Sequence, residues 1–297
     1  MDNKKLNILP VPTFGWLKVN YEERENENDN ERRVTKLNCS DGEKTRLEIN
    51  ESAAQRYELE VKGGQSVEVI EFITAKRADT QTAIKLESGA RARLIQVITG
   101  TERTINNVRA FLSDGAELEY ISLNIGGEDT LSDINARLDG RGARFEADIG
   151  YKVSNEGKLD INLLAEHFGK RTETRINASG VLSEKADKTF KGTIDFKNGA
   201  VGAKGKEKED VLLLDETVRN RTVPLILCAE EDVEGSHGAS IGRIDERQLF
   251  YMRSRGLDEQ TIYKLAARAR LDMVIRRIDD EQTNARIRQI LGGNDDE

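Results

Sequence analysis

From about residue 34 to residue 242, apolar and polar positions alternate in short runs that end at glycine-bearing turns. Period-two alternation is plain in Val67-Glu68-Val69-Ile70-Glu71-Phe72 and in Leu118-Glu119-Tyr120-Ile121-Ser122-Leu123, which predicts β-strands. Gly64, Gly89, Gly115, Gly142, Gly169 and Gly192 punctuate the pattern at steps of 25, 26, 27, 27 and 23 residues. Several sit in one recurring phrase: Ser88-Gly89-Ala90-Arg91-Ala92, Asp114-Gly115-Ala116-Glu117-Leu118 and Arg141-Gly142-Ala143-Arg144-Phe145. A repeat of this length, with two or three short strands each, predicts a β-solenoid whose rungs stack to share one narrow core. Glycine suits the corners, where φ turns positive. An antiparallel sandwich is the rival reading, but the period is longer than a hairpin needs.

After Ile244 the periodicity becomes helical. One helix is expected from Asp245 to Gly256 and a second over Asp258–Ile278, with Ile262, Leu265, Ala269 and Met273 on one face. A third covers Asp279–Leu291 and stops at Gly292-Gly293. Before the repeats, Pro12–Asn20 holds the sole tryptophan and reads as an extended arm, and Glu22–Arg33 reads as a mobile polar loop. The chain thus divides into an arm and loop (1–33), a β-helix core (34–244) and a C-terminal helical domain (245–297).

Composition sharpens this picture. Only 37% of the 297 residues are hydrophobic and 34% are charged, which suits an elongated fold with a thin interior. The net charge of -8 argues against a general nucleic-acid binder, which needs a positive surface. No apolar run approaches bilayer length, and the N-terminus shows no secretory h-region. Cys39 and Cys228 lie far apart in sequence, so reduced thiols and a cytoplasmic location are expected.

Candidate chemistry is sparse. Gly199-Ala200-Val201-Gly202-Ala203-Lys204-Gly205-Lys206 fails as a phosphate loop, because its spacing is wrong and Glu207 stands where Ser or Thr must hold Mg²⁺. It reads as a solvated loop, and no nucleotide site is expected on this chain. No Ser-His-Asp set is recognisable. What stands out is Cys228 and His237, with Glu230, Glu231 and Asp232 between them. Each alone reads as an ordinary small hydrophobe or turn histidine. Two such ligands fall short of a closed site, but an open or shared one would suit iron or zinc. Cys39 and His167 read as structural.

The stretch from Asp232 to Gly256, containing Gly235-Ser236-His237-Gly238-Ala239 and Leu249-Phe250-Tyr251-Met252-Arg253-Ser254-Arg255-Gly256, resembles the SufB/SufD family of iron–sulfur cluster assembly proteins. The match extends over about residues 34 to 280. The resemblance implies a right-handed parallel β-helix with a C-terminal helical domain, acting as a non-enzymatic scaffold for a transient iron–sulfur cluster. It implies an ABC-type ATPase partner of the SufC kind docking on the helices, with Phe250, Tyr251, Arg253, Arg255 and Arg268 as contacts. Cys228, His237, Glu230 and Glu231 become the cluster-binding residues, with Cys228 and His237 touching the metal. The Ser-His-Gly-Ala spelling is SufD-like, whereas Cys228 stands where a SufB-type ligand is expected. Both kinds of ligand on a short chain imply a homodimer in place of a SufB–SufD pair, or pairing with a SufB-like paralogue. A metal-free adaptor of the same ATPase is the alternative, and a carbohydrate-active β-helix enzyme a weaker third.

Overall fold

The computed structural model describes residues 3–25 and 32–292. Two eight-stranded sheets, parallel throughout, face each other across a narrow interior. Each rung sends one strand to each sheet, and every strand pairs with its counterpart one rung away. The protein is therefore a parallel β-helix.

The register shows how the repeat works. Ser66 pairs with Arg91, Arg91 with Glu117, Glu117 with Arg144, Arg144 with Glu173 and Glu173 with Lys204, steps of 25, 26, 27, 29 and 31 residues. The rung lengthens along the chain, so the glycine spacing drifts out of phase with it. Gly64, Gly89, Gly115 and Gly142 occupy the expected corner at φ between +62° and +76°. Beyond them the corner passes to Arg171, at φ +55°, and Gly202. Backbone bonds from Gly115, Gly142, Arg171 and Gly202 to the following rung hold this corner in a stack. Gly169 lies just before that corner, and Gly192 lies inside the strand Asp187–Phe196. The supposed solvated loop likewise ends at Gly202, and Ala203 begins a strand that runs to Leu213.

The core has two parts. Inside the helix, Leu94, Tyr120, Phe145, Ile161, Phe190 and Phe196 belong to one continuous buried cluster. A second cluster lies outside, where Ile70, Phe72, Ile95, Val97, Ile121 and Leu123 form an apolar stripe on the outer face of one sheet. The C-terminal helices α1 (Glu246–Ser254), α2 (Glu259–Ile275) and α3 (Glu281–Ile290) follow the last strand. Helix α2 buries Ile262, Leu271, Val274 and Ile275, and Leu271, Val274 and Ile275 join that stripe with Ile278 and Ile287. Of the expected seam only Ile262 is buried; Leu265 and Met273 are each 51% exposed. The seam was set by apolar spacing alone, whereas the packed face also has to present Arg270 to Asp210 (2.9 Å) and Arg277 to Asp148 (3.1 Å) on the sheet. Asp280 caps α3 through the Thr283 backbone N–H. Although burial opposes its charge, bonds from Thr283 and Lys44 hold its carboxyl well below the usual range.

The N-terminal arm covers the opposite sheet. Asn3–Leu6 pairs antiparallel with Glu22–Glu25, so the start of the expected polar loop is a strand; residues 26–31 of that loop lie outside the described residues. Asn7 donates to Asp160 Oδ1 (2.6 Å) and the buried Lys191 ammonium donates to the Asn7 carbonyl (2.9 Å). Arg24 pairs with Asp129 at 2.7 Å. The tryptophan does not anchor the arm: Trp16 is 77% exposed and lies beside Phe14. No described helix is long and apolar enough to cross a membrane.

Candidate functional site at the terminal rung

The last rung consists of the strands Arg219–Cys228 and Val233–Gly242, one at the end of each sheet. Each pairs on one side only, with Asp187–Phe196 and Ala203–Leu213 respectively. No described residue of Val233–Gly242 is buried, so the β-helix ends in an open mouth with two exposed sheet edges. Such edges are templates for pairing with another chain. Pro224 fits this position, because an edge strand tolerates a missing N–H.

The direction of each side chain follows from the alternation. In Ala203–Leu213, Ala203, Gly205, Glu207, Glu209 and Val211 are buried, while Lys204, Lys206 and Lys208 are exposed. His237 pairs in register with Glu207, which puts it on the inward column. A Cβ on Gly235, two residues earlier, would lie 3.1 Å from both Ile226 and Phe196 side-chain carbons, so this column faces the interior. On the other strand, Thr222 reaches inward to Glu209 (2.6 Å), and Cys228 shares its parity. Cys228 sits on Phe196 in the register. Cys228 and His237 are thus both exposed, inward-column residues at the mouth.

They do not meet within one chain. Ile226 stands opposite Gly235, so Pro224 stands opposite His237, four residues from Cys228. At the rise of a β-strand that is about 13 Å. Among the described residues no group of three or more His, Cys, Asp and Glu could hold a metal ion. Glu230 caps the corner beside Cys228: its carboxylate accepts from the backbone of Gly199 (3.0 Å), Glu231 (3.0 Å) and Asp232 (3.5 Å). These bonds lower its pKa. Glu231 is exposed at the same corner.

One rung below lies a polar cluster that the sequence reading passed over. Lys188 and Glu209 form an ion pair with both side chains fully buried. Tyr151 Oη donates to Glu209 Oε1 (2.8 Å), Thr222 donates to Oε2, and Lys188 also reaches Asn220 Oδ1 (2.9 Å). Burial lowers the Lys188 pKa against the pull of Glu209. Glu207 is 2% exposed, and its Oε2 has no hydrogen-bond partner. Burial, with the neighbouring Glu209 charge, pushes its carboxyl up to about 8. The signal for this cluster was the strict alternation of Lys with Gly and Glu from Lys204 to Glu209, which is a strand pattern written entirely in small and charged residues.

The remaining chemistry-bearing residues are structural in placement. His167 is fully buried, bonds Thr172 (2.7 Å) and packs on Phe196. Burial lowers its pKa to about 4, so it is neutral at physiological pH. Cys39 is partly buried, with its Sγ 3.4 Å from Thr45 Oγ1. On the helices, Phe250 is 75% and Tyr251 58% exposed, and α1 buries no residue. Arg253 pairs with Glu259 (2.7 Å), Arg255 lies over the Tyr251 ring, and Arg268 is exposed.

The family description "SUF system FeS cluster assembly, SufBD core domain" matches residues 44–270. The chain is 27% identical over 258 residues to the iron-sulfur cluster assembly protein SufD of Escherichia coli, covering 83% of this chain and 60% of that protein. It is 27% identical over 192 residues to SufD of Bacillus subtilis, covering 65% and 41%. It is 24% identical over 229 residues to SufB of the same organism, covering 77% and 48%. The chain therefore spans between 41% and 60% of the length of these relatives.

Proposed function

The chain belongs to the SufBD core family of the SUF iron–sulfur cluster assembly system, and we propose that it serves there as a cytoplasmic, non-enzymatic scaffold on which two copies hold a nascent cluster. The observation that carries this reading is the open terminal rung, with Cys228 and His237 on its inward columns but too far apart to share a cluster within one chain. A two-fold pairing of terminal rungs satisfies the exposed sheet edges and brings ligands of one copy toward those of the other. Thiolate and imidazole both suit iron. Glu231 adds charge at the corner, and Glu230 sets the corner's shape. The same edges would accept a SufB-like paralogue in place of a second copy.

Anaerobic reconstitution with iron and sulfide tests the reading. The expected product is a dimer by light scattering, with bound iron and a thiolate-to-iron absorption band. A monomer without that band overturns the scaffold and leaves the metal-free adaptor.

The partner that would drive the scaffold is an ABC-type ATPase of the SufC kind, docked on α1 and the exposed side of α2. Support comes from α1 itself, an almost unpacked helix carrying Phe250, Tyr251 and Arg253. Aromatic and arginine side chains anchor interfaces. The double variant Phe250→Ala/Tyr251→Ala is expected to weaken ATPase capture by roughly tenfold or more. Its melting temperature should match the wild type, because neither ring is buried. Undiminished capture would move the docking surface elsewhere.

A further inference from the structure

Between the N-terminal arm and the sheet it covers lies an open trough of about 1080 Å³. Its floor is the outer face of the strands Arg77–Leu86, Arg103–Leu112, Asp129–Leu138 and Lys158–His167, and arm residues 4–8 and Arg24 also line it. From Arg103 to Arg109 it follows one strand for six residues, about 20 Å. Among the described residues, eight Lys and Arg side chains line it against two carboxylates, Asp79 and Asp133, on a chain whose net charge is -8. Part of this positive charge is already paired: Arg32 with Asp79 (2.9 Å), Arg24 with Asp129 (2.7 Å) and Arg109 with Asp133. Lys4 and Arg33 are exposed and stand in no ion pair among the described residues. The middle of the floor is mostly amide, because Gln81, Asn107, Asp133 and Asn162 are register partners on successive rungs. Asn107 is half-buried and makes no side-chain hydrogen bond among the described residues. Gln81 uses only its oxygen, which accepts from Arg56 (3.5 Å).

We infer that this trough is a docking site for an extended acidic segment of a partner protein, about six residues long. The unpaired cations take its carboxylates by charge-assisted hydrogen bonds, and the amide column takes its backbone. A carboxamide presents a donor and an acceptor together. A peptide backbone uses both, whereas an inorganic polyphosphate is nearly all acceptor and would leave half of each amide idle. Apolar Ile105 and Leu164 lie in the same lining and give the segment's aliphatic carbons a surface to rest on. The trough shares no residue with the terminal rung, so the inference stands apart from the scaffold reading.

Fluorescence anisotropy of a fluorescein-labelled octapeptide of alternating glutamate and alanine, titrated with the full chain at low salt, tests the site. Saturable binding is expected, and it should weaken as added salt screens the charges. Lys4→Glu/Arg33→Glu reverses two exposed charges and is expected to weaken binding by roughly tenfold or more. Asn107→Leu leaves the charge alone and removes the open amide, and should weaken it by roughly fivefold or more. Both proteins should keep the wild-type circular dichroism spectrum, because none of the three residues is buried. The inference is overturned if the wild type shows no saturable binding, or if either variant binds as the wild type does. Inorganic triphosphate that competes as well as unlabelled peptide would make the trough a site for small anions, and peptide binding that splits a dimer would give it to a second copy; either result overturns the inference too.

Discussion

Glu209→Ala is expected to lower the unfolding free energy by about 3–5 kcal/mol, the cost of leaving the fully buried Lys188 ammonium without its partner. Glu209 also accepts from Tyr151 and Thr222, and its partner Lys188 reaches Asn220, so the strands that carry Tyr151, Lys188 and Thr222 loosen together. Lys188→Met/Glu209→Leu removes both charges and should recover a good part of that loss, because the pair's attraction does little more than offset its own desolvation. Urea unfolding of the three proteins measures this. A change below about 1 kcal/mol for Glu209→Ala would mean that water reaches Lys188 through the open end. Solenoid stability is distributed over neighbouring rungs, so the N-terminal rungs are expected to keep their hydrogen-exchange protection in Glu209→Ala.

The β-helix was legible because its first corners use glycine. At those corners φ exceeds +60°, and the Gly-Ala phrase repeats with the rung. Further along, the corner residue is Arg171 and the rung stretches to 31 residues, so counting glycines drifts and lands on Gly192, whose role is to make room for Glu207. The strand Ala203–Leu213 was hidden for a related reason. Its inward positions at 205, 207 and 209 are Gly and Glu rather than Val and Leu, and a hydrophobicity pattern cannot see a core that is polar. The packed face of α2 was missed because the sheet recruits Arg270 and Arg277 as well as the apolar residues. Spacing alone does not say which stripe meets a partner surface far away in the chain. The terminal rung shows the limit most clearly. Cys228 and His237 were picked out by their rarity and by resemblance, but only the register shows that both lie on inward columns at an unpaired end, and that one chain keeps them apart.

Cys228→Ser and His237→Ala are each expected to cut iron retained after anaerobic reconstitution by roughly tenfold or more. Neither should change the melting temperature appreciably, since both side chains are exposed at the edge of the fold. Replacing Cys39, which touches only Thr45 among the polar contacts seen, should leave iron content as in the wild type. The single variants show that the residues matter but not whether one site draws on two chains. Mixing does. When the Cys228→Ser and His237→Ala proteins are unfolded together, refolded and reconstituted, half of the dimers carry one variant of each kind. In such a dimer one site keeps the thiol from one copy and the imidazole from the other. The shared terminal rung predicts that the mixture regains about a quarter of the wild-type iron and its absorption band, while each variant alone stays at about a tenth or less; a mixture no better than either parent, with mixed dimers shown to form, would contradict it.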